Sequence, residues 1–360
     1  MTATDRSWPT LRLVFWETTS RCNLRCAHCR RLDTADEAAA ADLSTTQAQA
    51  MIESLAAFAS PILVFSGGEP LMRPDLFELA AVARERGLPI ALASNGALVD
   101  ESMARRIHAA GFQRVSISLD GADAATHDGL RGLDGSFDAA VAALKRLRAA
   151  GVATQINCTI ARHDMTQLPE VVALGERLGA TAVHFFLLVP VGCGEQIAEA
   201  MMLSPREVED ALGRLADLAE TSALHVKATC APQYYRILRQ RGSKPSGRAA
   251  DAAGPAKGTA AKGCLAGTAV CFVSHRGEVF GCGYLPVVAG DVTRQSFETL
   301  WRDSEVFRKL RDPAALRGKC GRCEYVGLCG GCRARAYYAF GDFLAEEPAC
   351  IYQPVTAGEG

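Results

Sequence analysis

Six short apolar runs, each followed by an amphipathic stretch, constrain this chain more than any other feature. The runs cover residues 11–16, 62–65, 90–93, 115–119, 154–160 and 183–188, and they are rich in β-branched and aromatic side chains, as strands covered on both faces are. Helical patterns separate them. Ser44-Thr-Thr-Gln47 forms a capping box, after which Met51, Ile52, Leu55, Phe58 and Ala59 share one face. Further helices are expected at 74–86, stopping at Gly87, and at 101–110, 136–150 and 167–178. Alternation of this kind demands parallel strands joined by right-handed crossovers, so the fold class is α/β, an open or closed barrel.

Ligands in such folds collect beyond the C-terminal ends of the strands, and the residues with the most chemistry stand there. Cys22, Cys26 and Cys29 follow the first strand with the spacing C-x3-C-x2-C. Three thiolates so close hold three irons of a 4Fe-4S cube and leave the fourth open to a chelating cosubstrate. A zinc knuckle is the alternative, although zinc prefers four protein ligands with the cysteine pairs set apart by a longer loop. Gly67-Gly68-Glu69-Pro70 follows the second strand; its glycines let a ligand approach the backbone, and Glu69 can accept hydrogen bonds from an ammonium group. Ser94-Asn95-Gly96 follows the third strand, and Ser118 and Asp120-Gly121 close the fourth. Asn-Gly and Asp-Gly also read as plain tight turns.

The 14 cysteines, in a chain whose start lacks an apolar signal core, read as metal ligands in a reducing, cytoplasmic compartment rather than as disulfides. With a net charge of -1 and dispersed basic residues there is no nucleic-acid footprint, and no stretch approaches the length of a membrane span. A chain of 360 residues, 49% apolar, has material for more than one core, and three segments are expected. Residues 8–200 carry the barrel. Residues 201–263 form a helical connector, opened by the capping box Ser204-Pro-Arg-Glu207, and a flexible Gly-, Ala-, Pro- and Ser-rich linker at 242–263. Residues 264–354 carry most of the remaining cysteines.

The cysteine triplet and Gly67-Gly68-Glu69-Pro70, in this order, resemble the radical S-adenosylmethionine (SAM) superfamily. The resemblance implies a partial (β/α)6 barrel in which Cys22, Cys26 and Cys29 hold a 4Fe-4S cluster, SAM chelates the open iron, and reduction cleaves SAM to a 5'-deoxyadenosyl radical. By the same resemblance Gly67, Gly68 and Glu69 hold the methionyl amine, and Ser94, Asn95, Ser118 and Asp120 serve the methionyl and ribose groups. His28 would pack near the adenine. Farther on, Cys264-x12-Gly277-x4-Cys282, Cys320-x2-Cys323-x5-Cys329-x2-Cys332 and Cys350 resemble the SPASM extension of that superfamily, with two residues rather than the commoner three in the last gap. That implies one auxiliary 4Fe-4S cluster on Cys320, Cys323, Cys329 and Cys350, and a second on Cys264, Cys271, Cys282 and Cys332. Zinc on Cys320, Cys323, Cys329 and Cys332 stays open as an alternative. Cys158, Cys193 and Cys230 receive no role, Cys158 being most simply a small buried hydrophobe.

Longer segments narrow the resemblance. Lys227-Ala-Thr-Cys-Ala-Pro232, Gly318-Lys-Cys-Gly-Arg-Cys-Glu-Tyr325 and Cys329-Gly-Gly-Cys-Arg-Ala-Arg-Ala-Tyr337 look like the SAM-dependent haem synthases of the siroheme pathway. That family turns two propionates of iron-coproporphyrin III into vinyls, giving haem b. It implies a flavodoxin- or ferredoxin-type electron donor and an auxiliary cluster that accepts one electron per decarboxylation. Lys227, Arg236, Arg333 and Arg335 are the candidate carboxylate-binding cations, and Tyr235, Tyr234 and His184 the candidate macrocycle contacts. Two rivals remain: the related haem d1 enzyme, and a SPASM enzyme that modifies a ribosomal peptide. Against the latter, the stretch before Cys22 is too short for a folded peptide-recognition module. A purely structural iron–sulfur or zinc module would leave Gly67-Gly68-Glu69-Pro70 without a purpose.

Overall fold

A computed structural model describes residues 8–30, 42–243 and 263–355. Its strands are β1 (Leu13–Glu17), β2 (Ile62–Ser66), β3 (Ile90–Ser94), β4 (Arg114–Ser118), β5 (Thr154–Ile160), β6 (Ala182–Leu187), β7 (His225–Thr229), β8 (Val270–Val273), β9 (Glu278–Phe280) and β10 (Val288–Asp291). They form one 10-stranded sheet in the order β10-β9-β8-β1-β2-β3-β4-β5-β6-β7. Neighbours from β1 to β7 pair in parallel, as the crossovers require. The six expected strands stand where the apolar runs place them. A seventh, β7, comes from the segment expected to be a helical connector, and the linker within 242–263 lies almost wholly outside the described residues. The C-terminal region enters the same sheet: β8 runs parallel to β1, with Val14 opposite Cys271, and β9 and β10 return antiparallel.

The two faces of the sheet differ. On the outer face Val14, Trp16, Leu63, Phe65, Val115, Ile117, Ile156 and Phe185 merge with helix residues such as Met51, Ile52, Leu55, Leu79 and Leu144 into one core. Trp16 lies 5.5 Å from Phe65, ring to ring, and truncating either to Ala costs about 3–5 kcal/mol. The helices begin where their caps dictate. Ser44 closes its capping box on Thr45–Phe58, Ser204 does the same on Pro205–Thr221, and the Asp123 side chain accepts from Thr126 N to start Ala124–Arg131, a helix the apolar pattern does not announce.

The inner face is polar, contrary to the expectation of strands apolar on both sides. Register puts Ser116 beside Gln155, and Asn157, His184 and Lys227 in one row. Gln155 Nε2 donates to Asn157 Oδ1 (2.7 Å) and meets His184 Nδ1 (3.0 Å), while Arg114 donates to Gln155 Oε1 (3.3 Å). Among the described residues no helix is long and apolar enough to cross a membrane.

Candidate functional site

The cysteine loop leaves β1 and is stitched to the loop that leaves β2. Thr18 N donates to Ser66 O (2.8 Å), Gly68 N to Thr19 O (2.8 Å) and Glu69 N to Arg21 O (2.7 Å). A Cβ at Gly68 would lie 2.2 Å from Arg21 O, and one at Gly67, where φ is +156°, would lie 2.7 Å from Thr19 O. The close approach that the glycines allow is thus first that of the chain's own cysteine loop, not that of a ligand.

Glu69 is wholly buried beneath this junction. Its Oε1 accepts from Ser94 Oγ (2.9 Å) and Leu71 N (3.2 Å), and its Oε2 from Asn95 N (2.8 Å). Burial pushes its carboxyl up to about 7 despite these donors, so the site is one cation short. A buried carboxylate so placed fits an ammonium group as its partner. Asn95 also donates through Nδ2 to Asn23 Oδ1 (2.8 Å) and towards Cys22 Sγ (3.9 Å), while its Oδ1 accepts from Ala97 N, so the residue is both turn and site. Ser118 ends β4 half-buried, opposite Asn157 in register.

Cys22, Cys26 and Cys29 are half-buried and free of disulfides. Leu24 N donates to Cys22 Sγ (3.4 Å) and Arg131 Nη1 to Cys26 Sγ (3.7 Å). Burial, with Glu69 and the other two thiols nearby, pushes Cys22 up to about 11. Close, mutually repelling thiols ringed by N–H donors fit a cluster whose iron draws the protons off and whose sulfurs accept those donors.

Asp120 lies at the bottom of this ring. Burial works against its charge, yet Arg131 and His28 hold its carboxyl well below the usual range, and Thr159 N adds a bond of 2.6 Å. Arg131 is paired with it directly, and His28 Nε2 stands 3.4 Å away. Asp120 therefore serves first as the counter-ion of Arg131, and Arg131, from the unannounced helix, links it to Cys26. Burial lowers His28 to about 4, so it acts here as a neutral ring. The Asp123 cap was the available sequence signal for this helix.

In the C-terminal region Cys320, Cys323, Cys329 and Cys350 line one cleft, together with Lys319, Arg236 and Tyr352. This fits the auxiliary group expected there. Among the described residues no three His, Cys, Asp or Glu side chains are gathered tightly enough for a single metal ion. Cys332 belongs to a separate apolar group with Cys230, Cys282, Tyr284 and Leu285. Cys271 does not join it. Strand alternation turns Cys271 to the outer face of β8, where it is fully buried in the main core, outside the apolar group of Cys332 and Cys282 with which it was expected.

The arginines expected to clamp substrate are buried and occupied. Arg236 pairs with Glu209 and lies 5.0 Å over the Tyr352 ring. Arg335 pairs with Glu347 at 3.0 Å, and Arg333 donates to Phe343 O and Ala345 O and towards Cys320 Sγ (3.8 Å). Tyr235 is half-buried against Tyr234, ring to ring at 5.8 Å. Lys227 faces the barrel interior, its pKa lowered by burial and by Arg12. Cys158 is buried and donates to Asp164 Oδ2 (3.4 Å), and Cys193 N donates to Cys29 O (2.9 Å). A second cleft is lined by Arg30, next to Cys29, and by Glu17, Phe272, Cys282 and Tyr284.

The chain matches the radical SAM superfamily over residues 16–173 and an iron–sulfur cluster-binding domain, SPASM, over 264–333. It is 46% identical over 343 residues to an AdoMet-dependent heme synthase of Methanosarcina barkeri, covering 95% of this chain and 97% of that protein. It is 44% identical to an AdoMet-dependent heme synthase of Nitratidesulfovibrio vulgaris, covering 96% of this chain and 94% of that one. The fold is similar to that of Streptococcus suis SuiB in a crystal structure with the precursor peptide SuiA, with a TM-score of 0.74 at 14% identity, covering 96% of this chain and 76% of that one. The superfamily match brings a 4Fe-4S cluster and SAM to the barrel, and the SPASM match brings auxiliary iron–sulfur clusters to the C-terminal region. With similarity spanning nearly its whole length and both cysteine regions, the chain belongs to the AdoMet-dependent heme synthase family of the radical SAM superfamily.

Proposed function

We propose that this enzyme converts iron-coproporphyrin III to haem b by oxidative decarboxylation of two propionates. The observation that carries the reading is the near-full-length similarity to two heme synthases, which spans both cysteine regions. When bound, the SAM-chelating cluster supplies the radical that takes a hydrogen atom from a propionate β-carbon. Carbon dioxide and one electron then leave the substrate, and a vinyl remains. The chain has to hold SAM, seat an anionic porphyrin, exclude water and keep an electron acceptor close.

Its residues divide these tasks. Cys22, Cys26 and Cys29 hold the first cluster, and Glu69, with Ser94 and Asn95 orienting it, receives the SAM ammonium. Gly67 and Gly68 keep that loop against the cysteine loop. A substrate at the cleft lined by Arg30 and Cys282 would lie between the radical-forming loop and an auxiliary group, and this is where we assign it. On the inner face Lys227 and Arg114 have no carboxylate partner among the described residues, unlike Arg236 and Arg335, and they are the cations we assign to propionates. The first electron comes from a flavodoxin- or ferredoxin-type donor in the cytoplasm.

Anaerobic enzyme with reconstituted clusters, given SAM, a reductant and iron-coproporphyrin III, should yield haem b through a monovinyl intermediate. SAM cleavage with the porphyrin mass unchanged would overturn the assignment and favour a peptide substrate.

A further inference from the structure

Cys230 lies outside both matched regions, between the end of β7 and the helix Gln233–Gln240. It is the one non-glycine residue with positive φ (+54°) among those described. Side chains rarely hold that conformation unless their surroundings impose it, and such residues gather at functional sites. The imposed geometry turns Cys230 into the apolar group of Cys332, Cys282, Tyr284 and Leu285. Cys332, Cys282, Arg335 and Cys264 are the titratable groups near enough to its thiol to bear on it.

Cys264 is held in the same place by backbone. Gly263 N donates to Leu328 O (2.7 Å) and Cys264 N to Cys329 O (3.2 Å). A Cβ at Gly263 would sit 2.7 Å from Pro232 Cβ and 2.8 Å from Cys329 O, so this stretch is wedged between the turn that carries Cys230 and the loop that carries Cys332. Nearby, Arg335 is fully buried and paired with Glu347, and its Nη1 has no hydrogen-bond partner among the described residues, which leaves a donor for a cluster sulfur. Cys271, by contrast, faces the opposite side of the sheet, buried in the main core.

From this placement we infer that Cys230, with Cys264, Cys282 and Cys332, is the fourth thiolate of the second auxiliary iron–sulfur cluster, the position the sequence pattern assigned to Cys271. The inference rests on the reading that two auxiliary groups are present. Because Cys282 and Tyr284 also line the cleft that Arg30 reaches, Cys230 completes the auxiliary group that borders the proposed substrate site.

The test is iron and sulfide analysis, with electron paramagnetic resonance and Mössbauer spectra, of anaerobically purified parent, Cys230→Ala, Cys230→Ser and Cys271→Ala. The parent should hold about twelve irons in three clusters. Cys230→Ala should lose about a third of them, or show one cluster with an altered signal, while still binding SAM as a sign of a folded barrel. Cys230→Ser, which keeps an oxygen ligand, should retain the cluster with a shifted Mössbauer signature even where the alanine variant fails to fold. Cys271→Ala should match the parent. A parent with three clusters whose Cys230 variants keep its iron and spectra overturns the ligand assignment alone. A parent with only two clusters overturns the second auxiliary group and this assignment together.

Discussion

Cys22, Cys26 and Cys29 stand on one short loop, half-buried, among polar donors and a buried ion pair. Cys230, Cys282 and Cys332 come from three separate segments and pack among apolar side chains, and a fourth segment brings Cys264 against the Cys329 backbone next to Cys332. The first group lies among polar donors, the second among apolar side chains. The difference follows from placement. The loop after β1 lies at the rim where strands end, whereas the second group is assembled where the C-terminal region folds back onto the sheet. A cluster that must meet SAM needs an open iron, and one that takes up an electron needs enclosure and tuning by its surroundings.

The largest expected effect separates the two regions outright. Replacing Cys22, Cys26 and Cys29 together with Ala should abolish SAM cleavage while leaving about two thirds of the iron in place, as one of three clusters is lost. Iron analysis beside an assay for 5'-deoxyadenosine checks it, and loss of all iron would mean that the regions are not independent.

Next comes the ion pair that supports the first loop. Arg131→Ala leaves the Asp120 charge buried without its partner and should cost about 3–5 kcal/mol of stability, read from thermal or denaturant unfolding. An equivalent loss at the exposed pair Arg302–Glu298 is not expected, because exposed pairs contribute about 0–1 kcal/mol.

Glu69→Gln should weaken SAM binding by about 1.5–3 kcal/mol, the range of a hydrogen bond to a charged group, without removing the cluster. The pH dependence follows from the raised pKa. The ligand-free protein gains stability on acidification towards the ordinary carboxylate range, because the protonated form is the one burial favours. SAM binding needs the carboxylate, so affinity should fall as pH drops through about 7 in the parent and stay flat in Glu69→Gln. Parallel titrations of both proteins decide it.

The smallest effect concerns substrate. Lys227→Met should raise the KM for the porphyrin about tenfold, the loss of about one charge-assisted bond, with reductive cleavage of SAM unaffected. Arg335→Met should act instead on stability and auxiliary iron. A KM effect at Arg335 with none at Lys227 would reverse the assignment.

What could be read in advance divides along the same line. The triplet, Gly67-Gly68-Glu69 and the strands that lead into them are local patterns, each with its own periodicity or spacing, and the structure brings them together at one rim. The strand β7 is short and alternates His225, Lys227 and Thr229 with Val226 and Ala228, a period-two signal in the sequence that the expectation of a helical connector passed over, and pairing with β6 places it in the sheet. The union of β8 with β1 spans most of the chain, and nothing near either strand announces it. Cys230 was in view as a residue, but its neighbours were not, since they arrive from three other segments. Arg236 and Arg335 were noticed for their charge, while the partners that occupy them, Glu209 and Glu347, could be assigned only in three dimensions.

The most direct measurement follows the hydrogen atom. With iron-coproporphyrin III deuterated at the propionate β-carbons, each vinyl formed should be matched by one 5'-deoxyadenosine carrying one deuterium, alongside haem b. Deuterium-free 5'-deoxyadenosine formed at the parent rate, with both labelled propionates intact, would contradict the account.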